Sequence, residues 1–399
     1  MQGAGATHSL QAGGELRSHG PTDVTIVAND IGPIGGMERA IVQLILGLRE
    51  LGHRVTVIAR TCELPPGTEV EFHRVRGPGR PALLAYPWFL VAGSLALRRW
   101  RRGVVQITGG IVLGRVDVVS VHYCHQVGPA NPSRATLLFR IHARAVSVMN
   151  RIGERLCYRI QRTATFVCVS EGVCDEMRAH YPRVRERLVT IQNGVDTELF
   201  APGRRADAAR ALREEMQIAP GRLVALFVGS EWEGKGLAPL ISALALAPGW
   251  ELLVVGRGER SRYEEIARSA GVAAAVHWLG VSEDVQVLYQ LADAFVLPSA
   301  YETFSLVTFE AAASGLPVLA TPVSGVRELI ADGRSGMLIA PEPQSIGEKL
   351  RALGEDPALR ARLGRAARES ASEFSWGRMV NRHHDLYERL SQARSPVSP

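Results

Sequence analysis

VTIVA at residues 24–28 runs into a loop holding Gly32, Pro33, Gly35 and Gly36, and that loop runs into Met37, Ala40, Ile41, Leu44, Ile45 and Leu48. The first segment is a short apolar run. The last set recurs at three- and four-residue intervals, which predicts one buried face of a helix. Leu51-Gly52-His53 closes that helix, and VTVIA at 55–59 reads as the next strand. Strand, glycine loop, helix and strand in this order open a parallel, doubly wound α/β sheet.

Outward from this unit, further strands are expected at 104–108, 116–122 and 165–169, separated by helical stretches. Asn193-Gly194-Val195-Asp196 marks a turn, and the polar, Ala/Arg-rich residues 201–220 read as an interdomain linker. The pattern then restarts with a strand at 223–228, a loop with Gly229, Gly234 and Gly236, and a helical stretch at 237–247. Strand candidates follow at 250–255, 276–278, 294–297, 317–320 and 336–339, and Trp376 to Leu390 forms a final helix. The chain therefore divides into a Rossmann-like domain over 21–200 and a second over 201–375. Residues 1–20, without an apolar run, read as a disordered leader.

A length of 399 residues suits two domains, and the mean hydropathy of +0.03 fits a globular protein with two cores. Five scattered cysteines without a CxxC pair argue against a disulfide framework or a structural zinc site and fit a reducing cytoplasm. The formal charge is +6, and all of the 46 basic residues except Lys235 and Lys349 are arginine. A lysine kept at a motif position is informative against that background, because the two cations are not interchangeable at a phosphate. Nucleic-acid binding is disfavoured: the charge is modest, no aromatic residues interleave the basic stripe, and no known module is present.

Two glycine loops, one per domain, each lie between a strand and a helix. Such a loop lets backbone N–H groups approach a phosphate, and the helix start favours negative charge. Neither loop has the GxGxxG or P-loop spacing, which disfavours a dehydrogenase or a P-loop NTPase. Gly234-Lys235-Gly236 sets an ammonium at a helix start, where it neutralises a diphosphate as a point charge. After Leu297-Pro298-Ser299 comes YETFSLVTFE at 301–310. A helix beginning near Ser305 leaves Glu302 in the preceding loop and puts Glu310 one to two turns in, so both can face one crevice. Glu302 is otherwise a helix-start acid favoured by the dipole. Glu310, among Phe309, Ala311, Ala312 and Ala313, needs a partner for its charge.

These residues resemble glycosyltransferase family 4, retaining enzymes of the GT-B fold, from about Val24 to Leu390. The matching pieces are GGMER (35–39), VSEGV after the strand at 165–169, IQNGVDTELF (191–200), FVGSEWEGKG (227–236), VVGRG (254–258), LGVSEDV (279–285), the long block 292–321 and FSW (374–376). The resemblance implies two Rossmann-like domains facing across a cleft, with a C-terminal helix over 376–392 crossing back to the first. It implies that Gly35 and Gly36 approach a donor diphosphate that Lys235 neutralises, while the amides around Phe304, Ser305 and Leu306 cap it. Glu310 would hold the ribose, the backbone near Val281 would meet the base, and Glu302 would bind the transferred sugar. His122, at a strand end in VVSVH, matches the family's histidine near the anomeric carbon, with His125 an alternative; an HxxH pair can also simply bond locally. Ser230 stands where the family often has an arginine, and ETFSL replaces EGFGL, so Ser305 must take a backbone geometry more often given to glycine.

The implied chemistry is front-face transfer from a nucleotide-diphosphate sugar, a UDP-sugar favoured, to a glycan or lipid-linked acceptor in envelope polysaccharide or glycolipid synthesis. No metal or cofactor is expected, because Lys235, helix N-termini and loop amides supply the positive potential. A sugar phosphorylase, an epimerase, or a nucleotide-sugar-binding protein without turnover are the competing readings. In the first domain Arg140, Arg144, Arg151, Arg155, Arg159 and Arg162 share one side of a helical wheel, with Phe139, Val146, Met149, Leu156 and Cys157 largely opposite. The apolar stretch Leu83–Leu97, broken by Pro87 and too short to span a membrane, fits a core helix somewhat better than an interfacial one. Together the segments make an anionic membrane surface a candidate contact, and a cytoplasmic protein peripheral on the inner membrane face the expectation.

Overall fold

The computed structural model describes residues 22–33, 35–127 and 137–394, with the side chains of 137–139 left aside. The expected leader and the side chain of Phe139 lie outside the described residues. The principal strands are β1 Asp23–Val27, β2 Arg54–Ala59, β3 Glu71–Arg74, β4 Val104–Thr108, β5 Val118–Val121, β6 Thr165–Cys168 and β7 Leu188–Thr190. The second half adds β8 Leu223–Val228, β9 Trp250–Val255, β10 Val276–Gly280, β11 Ala294–Leu297, β12 Val318–Ala320 and β13 Met337–Leu338. They form two all-parallel sheets, ordered β3-β2-β1-β4-β5-β6-β7 and β10-β9-β8-β11-β12-β13. In each the winding reverses beside the first strand, which leaves a crevice at the carboxyl strand ends.

The central strands read as unbroken apolar runs because both faces are covered. Val104 to Thr108 and Trp250 to Val255 are buried throughout. Each fully buried aliphatic or aromatic side chain contributes about 1.5–3 kcal/mol relative to exposure. Edge strand β3, EFHR, alternates half-buried and exposed positions, so it carries no such run.

The helices are α1 Gly36–Glu50, α2 Ala82–Trp100, α3 Leu137–Ile160, α4 Glu171–His180, α5 Ala206–Glu215, α6 Leu237–Ala243 and α7 Arg260–Ser269. They continue as α8 Val285–Leu291, α9 Leu306–Ala313, α10 Val326–Leu329, α11 Pro343–Glu355, α12 Pro357–Ser372 and α13 Trp376–Gln392. The segment 201–220, read as linker, contains α5, which packs on α8. Its alanine and arginine content is that of a good helix former, and Ala209 gives it a buried anchor.

Two sequence motifs serve this architecture rather than the chemistry. In IQNGVDTELF, a Cβ at Gly194 would fall 2.3 Å from the Trp376 nitrogen, so only glycine lets the two segments pass. Val195 N–H donates to the Phe374 carbonyl at 2.7 Å, next to the start of α13. In FSW, Ser375 caps α13 by accepting from Arg378 N–H at 3.2 Å. From there α13 returns to the first domain: Met379, Val380 and Leu386 join the core of α1 and β1, and Tyr387 OH donates to Gln106 Oε1 on β4 at 2.6 Å.

α2 departs from the core-helix reading. Phe89, Gly93 and Leu97 are buried, but Leu84, Trp88, Val91 and Leu95 form a second apolar face that is exposed. On α3, Cys157 is buried, whereas Leu156 lies exposed with Ile141, Val148 and Ile152 beside the arginines rather than opposite them. Among the described residues no helix is long and apolar enough to cross a membrane.

Candidate active site

The amino ends of α1 and α9 approach each other across the interdomain cleft. A Cβ on Gly36 would come 3.3 Å from Leu306 Cδ1, so the glycine sets how closely the two helix starts meet. Both ends present unsatisfied N–H groups and the positive pole of a helix. α9 is capped by Ser305 at φ 68°, ψ 63°, in the left-handed region expected where ETFSL replaces the glycine. Its hydroxyl pairs with the Thr308 hydroxyl at 2.7 Å, which offsets part of the backbone strain. The Phe304 ring stacks on Phe309 with centroids 4.1 Å apart and is buried, so only its backbone faces the loop.

Glu310 is almost wholly buried, and its partners are Arg39 and Tyr289. Arg39 Nη2 donates to Oε1 at 2.5 Å from the opposite domain, and Tyr289 OH donates to Oε2 at 3.1 Å. The Glu310 carboxylate and its hydrogen bond hold the Arg39 guanidinium above its ordinary pKa against the opposing effect of burial. Lys235 Nζ donates to Glu302 Oε1 at 2.6 Å, and Ser299 Oγ donates to the same oxygen at 2.8 Å. Glu302 is buried and Lys235 half-buried, so the pair is shielded on the protein side and open towards the cleft. Ser230 is exposed after β8, and its hydroxyl accepts from Arg257 N–H at 3.5 Å. Val281 is exposed just beyond β10, with 58% of its surface open.

The first domain supplies a cavity of about 350 Å³ beside this cleft, lined by His122, His125, Tyr123, Glu154, Arg60 and Tyr86 among others. His122 follows β5 and bonds through Nε2 to Ser120 Oγ at 3.0 Å. Enclosure, with a smaller contribution from His383, drives its pKa down to about 4, so it is neutral at pH 7. The pKa of His125 is lowered too, by burial and then by Arg151. Both histidines line one cavity. Glu154 is buried, its pKa raised by burial, and it accepts from Tyr181 OH at 2.6 Å. Tyr301, next to Glu302, closes the gap between halves: its ring meets Tyr123 edge-on at 5.7 Å, and its hydroxyl donates to Glu176 of α4 at 3.1 Å.

Thus one cleft gathers Gly35, Gly36, Lys235, Glu302, Ser305, Leu306 and Glu310, and the adjoining cavity holds His122 and His125. Ser230 and Val281 sit at strand ends further out, without side-chain partners reaching the Glu310 cluster. Arg39, Tyr289, Ser299 and Glu154 were missed in the sequence. Arg39 lies inside GGMER and Glu154 is the sole carboxylate in an arginine-rich helix, so each carried a signal; Tyr289 and Ser299 carried none. Among the described residues no three His, Cys, Asp or Glu side chains converge as a metal-binding set.

The comparisons with known proteins agree with this fold. Residues 34–199 match the Glycosyltransferase Family 4 description and residues 208–370 match Glycosyl transferases group 1. A D-inositol 3-phosphate glycosyltransferase of Streptomyces avermitilis is 30% identical over 91% of this chain and 84% of its own. An alpha-maltose-1-phosphate synthase of Mycobacterium tuberculosis is 31% identical over 56% of this chain and 62% of its own. Among solved structures, WaaG, a glycosyltransferase involved in lipopolysaccharide biosynthesis, superposes with a TM-score of 0.74 at 22% identity, over 94% of this chain and 100% of its own. Anabaena HepE, in complex with UDP and glucose, gives 0.73 at 18% identity, over 92% of this chain and 100% of its own. The fold is GT-B, and the chain is a glycosyltransferase. It belongs to glycosyltransferase family 4.

Proposed function

We propose that the protein is a retaining hexosyltransferase that takes its sugar from a nucleotide-diphosphate donor, a UDP-sugar first, and passes it to a glycan or lipid-linked acceptor of the cell envelope. The observation that carries the reading is the meeting of two helix N-termini beside Lys235–Glu302 and Glu310 in one cleft. A diphosphate between those helix ends faces N–H groups from both domains, and Lys235 adds the full positive charge. Glu310 accepts from the ribose hydroxyls and Glu302 from those of the sugar. When the ribose engages Glu310, Arg39 is released at the start of α1, which supplies the second cation that Ser230 does not.

Neutral His122 faces the sugar from the acceptor side as a hydrogen-bonding group. The leaving diphosphate takes the acceptor proton as oxocarbenium character develops, so the protein's contribution is positioning and stabilisation of the leaving charge. No metal is needed in this scheme, and transfer is expected to persist in EDTA. The HepE complex with UDP-glucose supports uridine as the base, and the WaaG likeness supports an envelope product.

A thermal-shift screen of nucleotide sugars, followed by NMR of the product of the best ligand, tests the proposal. An α-linked product from an α-donor is expected, and a β-linked one overturns retention. Binding with neither donor hydrolysis nor transfer leaves a nucleotide-sugar-binding protein. Sugar phosphate formed from inorganic phosphate makes it a phosphorylase. Transfer to D-inositol 3-phosphate in the same screen places the acceptor with that of the Streptomyces relative.

A further inference from the structure

Between α2 and α3 runs an apolar groove of about 590 Å³, lined chiefly by Tyr86, Pro87, Leu90, Val148, Met149 and Ile152. Around it Leu84, Leu95 and Ile152 each leave 60–61% of their surface to solvent. Trp88 is pinned by its indole N–H, which donates to the Arg76 carbonyl at 2.8 Å, yet its ring stays half exposed. A contiguous apolar face of this kind marks a contact site.

Two further observations say what covers it. The first is continuity with the candidate acceptor cavity. Tyr86 lines both the groove and the His122 cavity, its hydroxyl donating to the Gly110 carbonyl at 2.6 Å. A Cβ at Gly153 would fall 2.1 Å from that hydroxyl, so the glycine is what admits the Tyr86 ring between the two spaces. Gly153 faces the groove and Glu154 the cavity. The second is charge. Arg144 lines the groove, Arg140 and Arg155 are exposed on the same helix and Arg98 and Arg99 at the end of α2, while α2 holds no carboxylate and α3 only the buried Glu154. A symmetric contact with a second copy would set one arginine rim against another. An anionic amphiphile meets both features at once.

We propose that this groove receives the hydrocarbon chain of a lipid-linked acceptor, whose polar end enters the His122 cavity while its anionic linkage and neighbouring headgroups rest on the arginines. The inference rests on the transferase reading and deepens it by naming the acceptor class. The enzyme then works at the membrane surface, with α2 and α3 lying in the interface and the donor cleft facing water.

The test uses the full chain and vesicles of phosphatidylglycerol and phosphatidylcholine that carry a phosphatidylglycerol with a diazirine in its acyl chain. After irradiation, label is expected in the peptides bearing Trp88 and Ile152. Val91→Asp with Val148→Asp should cut labelling by roughly tenfold or more, since each methylene kept out of an apolar site costs about fourfold in binding, while UDP affinity stays unchanged. Should that pair unfold, Arg144→Glu with Arg155→Glu is expected to lower labelling by about tenfold or more on the anionic vesicles. Label confined to other peptides overturns the proposal, as does equal labelling from pure phosphatidylcholine. So does a dimer that Val148→Asp converts to monomer in light scattering. UDP-glucose hydrolysis is followed in parallel. A protein that turns over but escapes labelling loses only the groove assignment, and one that labels but neither binds UDP nor turns over loses the transferase reading.

Discussion

The two halves share one winding order but treat their surfaces differently. Among the described residues, the second half exposes only Leu246 and Val281 of its large apolar side chains, whereas the first exposes a dozen, most of them on α2 and α3. The cleft gathers two charge pairs around buried carboxylates, Lys235–Glu302 within the second half and Arg39–Glu310 between the halves, while α3 of the first half spreads arginines over an open helix. A donor with a fixed diphosphate and ribose needs a small set of groups at fixed positions. An acceptor with a long apolar part needs area, and area can be built from many sequences.

If the division holds, disturbing the second half should damage chemistry and nucleotide binding, and disturbing the first should alter acceptor use. The largest effect is expected from Lys235→Ala: a lost transition-state donor costs about 2.7–4 kcal/mol, so kcat should fall by roughly two orders of magnitude or more. Turnover equal to wild type would remove Lys235 from the site. Glu310→Ala should come next, weakening nucleoside-diphosphate affinity by about 1–3 kcal/mol in calorimetry, since it loses hydrogen bonds to a buried carboxylate. It also unpairs Arg39 and leaves the Tyr289 hydroxyl only the Val307 carbonyl, so Arg39→Ala belongs in the same titration series. A smaller loss there than in Glu310→Ala would fit a cation that only assists.

The histidines make a prediction of middle size. Burial holds both His122 and His383 at about 4, below the ordinary value of 6.5. The unfolded chain therefore binds more protons between those values, so stability is full above pH 6.5 and is shed as pH falls towards 4. Melting temperature should decline across that window, and His383→Gln should flatten the decline. The rate of transfer should show no inflection near 6.5 from His122. The smallest effect is expected at Ser305→Gly. Relief of the left-handed backbone gains about 1–2 kcal/mol and the lost hydroxyl pair costs about 0.5–1.5, with added chain entropy opposing, so the melt should stay near wild type. Ser305→Val should be clearly destabilising, because a β-branched side chain fits that backbone poorly.

Much of this was legible in the residues. The central strands were found because a sheet covered on both faces demands continuous apolar runs, and α1 because its buried face repeats at helical intervals. Glu310 announced its need for a partner by standing among alanines and phenylalanine. β3 and β7 were missed: one is an alternating edge strand and the other has three residues, so neither carries a burial run. The identity of the partner for Glu310 could not be read, because Arg39 is 271 positions away and belongs to the other domain.

By itself the sequence determined two Rossmann-like halves, a glycine loop between strand and helix in each and a lysine retained among arginines, since periodicity and local charge are properties of neighbouring residues. Only the tertiary structure decided that Arg39 closes on Glu310, that Tyr86 stands between cavity and groove, and that one apolar face of α2 stays uncovered among the described residues. Those outcomes depend on which distant surfaces meet, and a helix that is apolar all round cannot state in its own residues how much of itself the rest of the chain will bury.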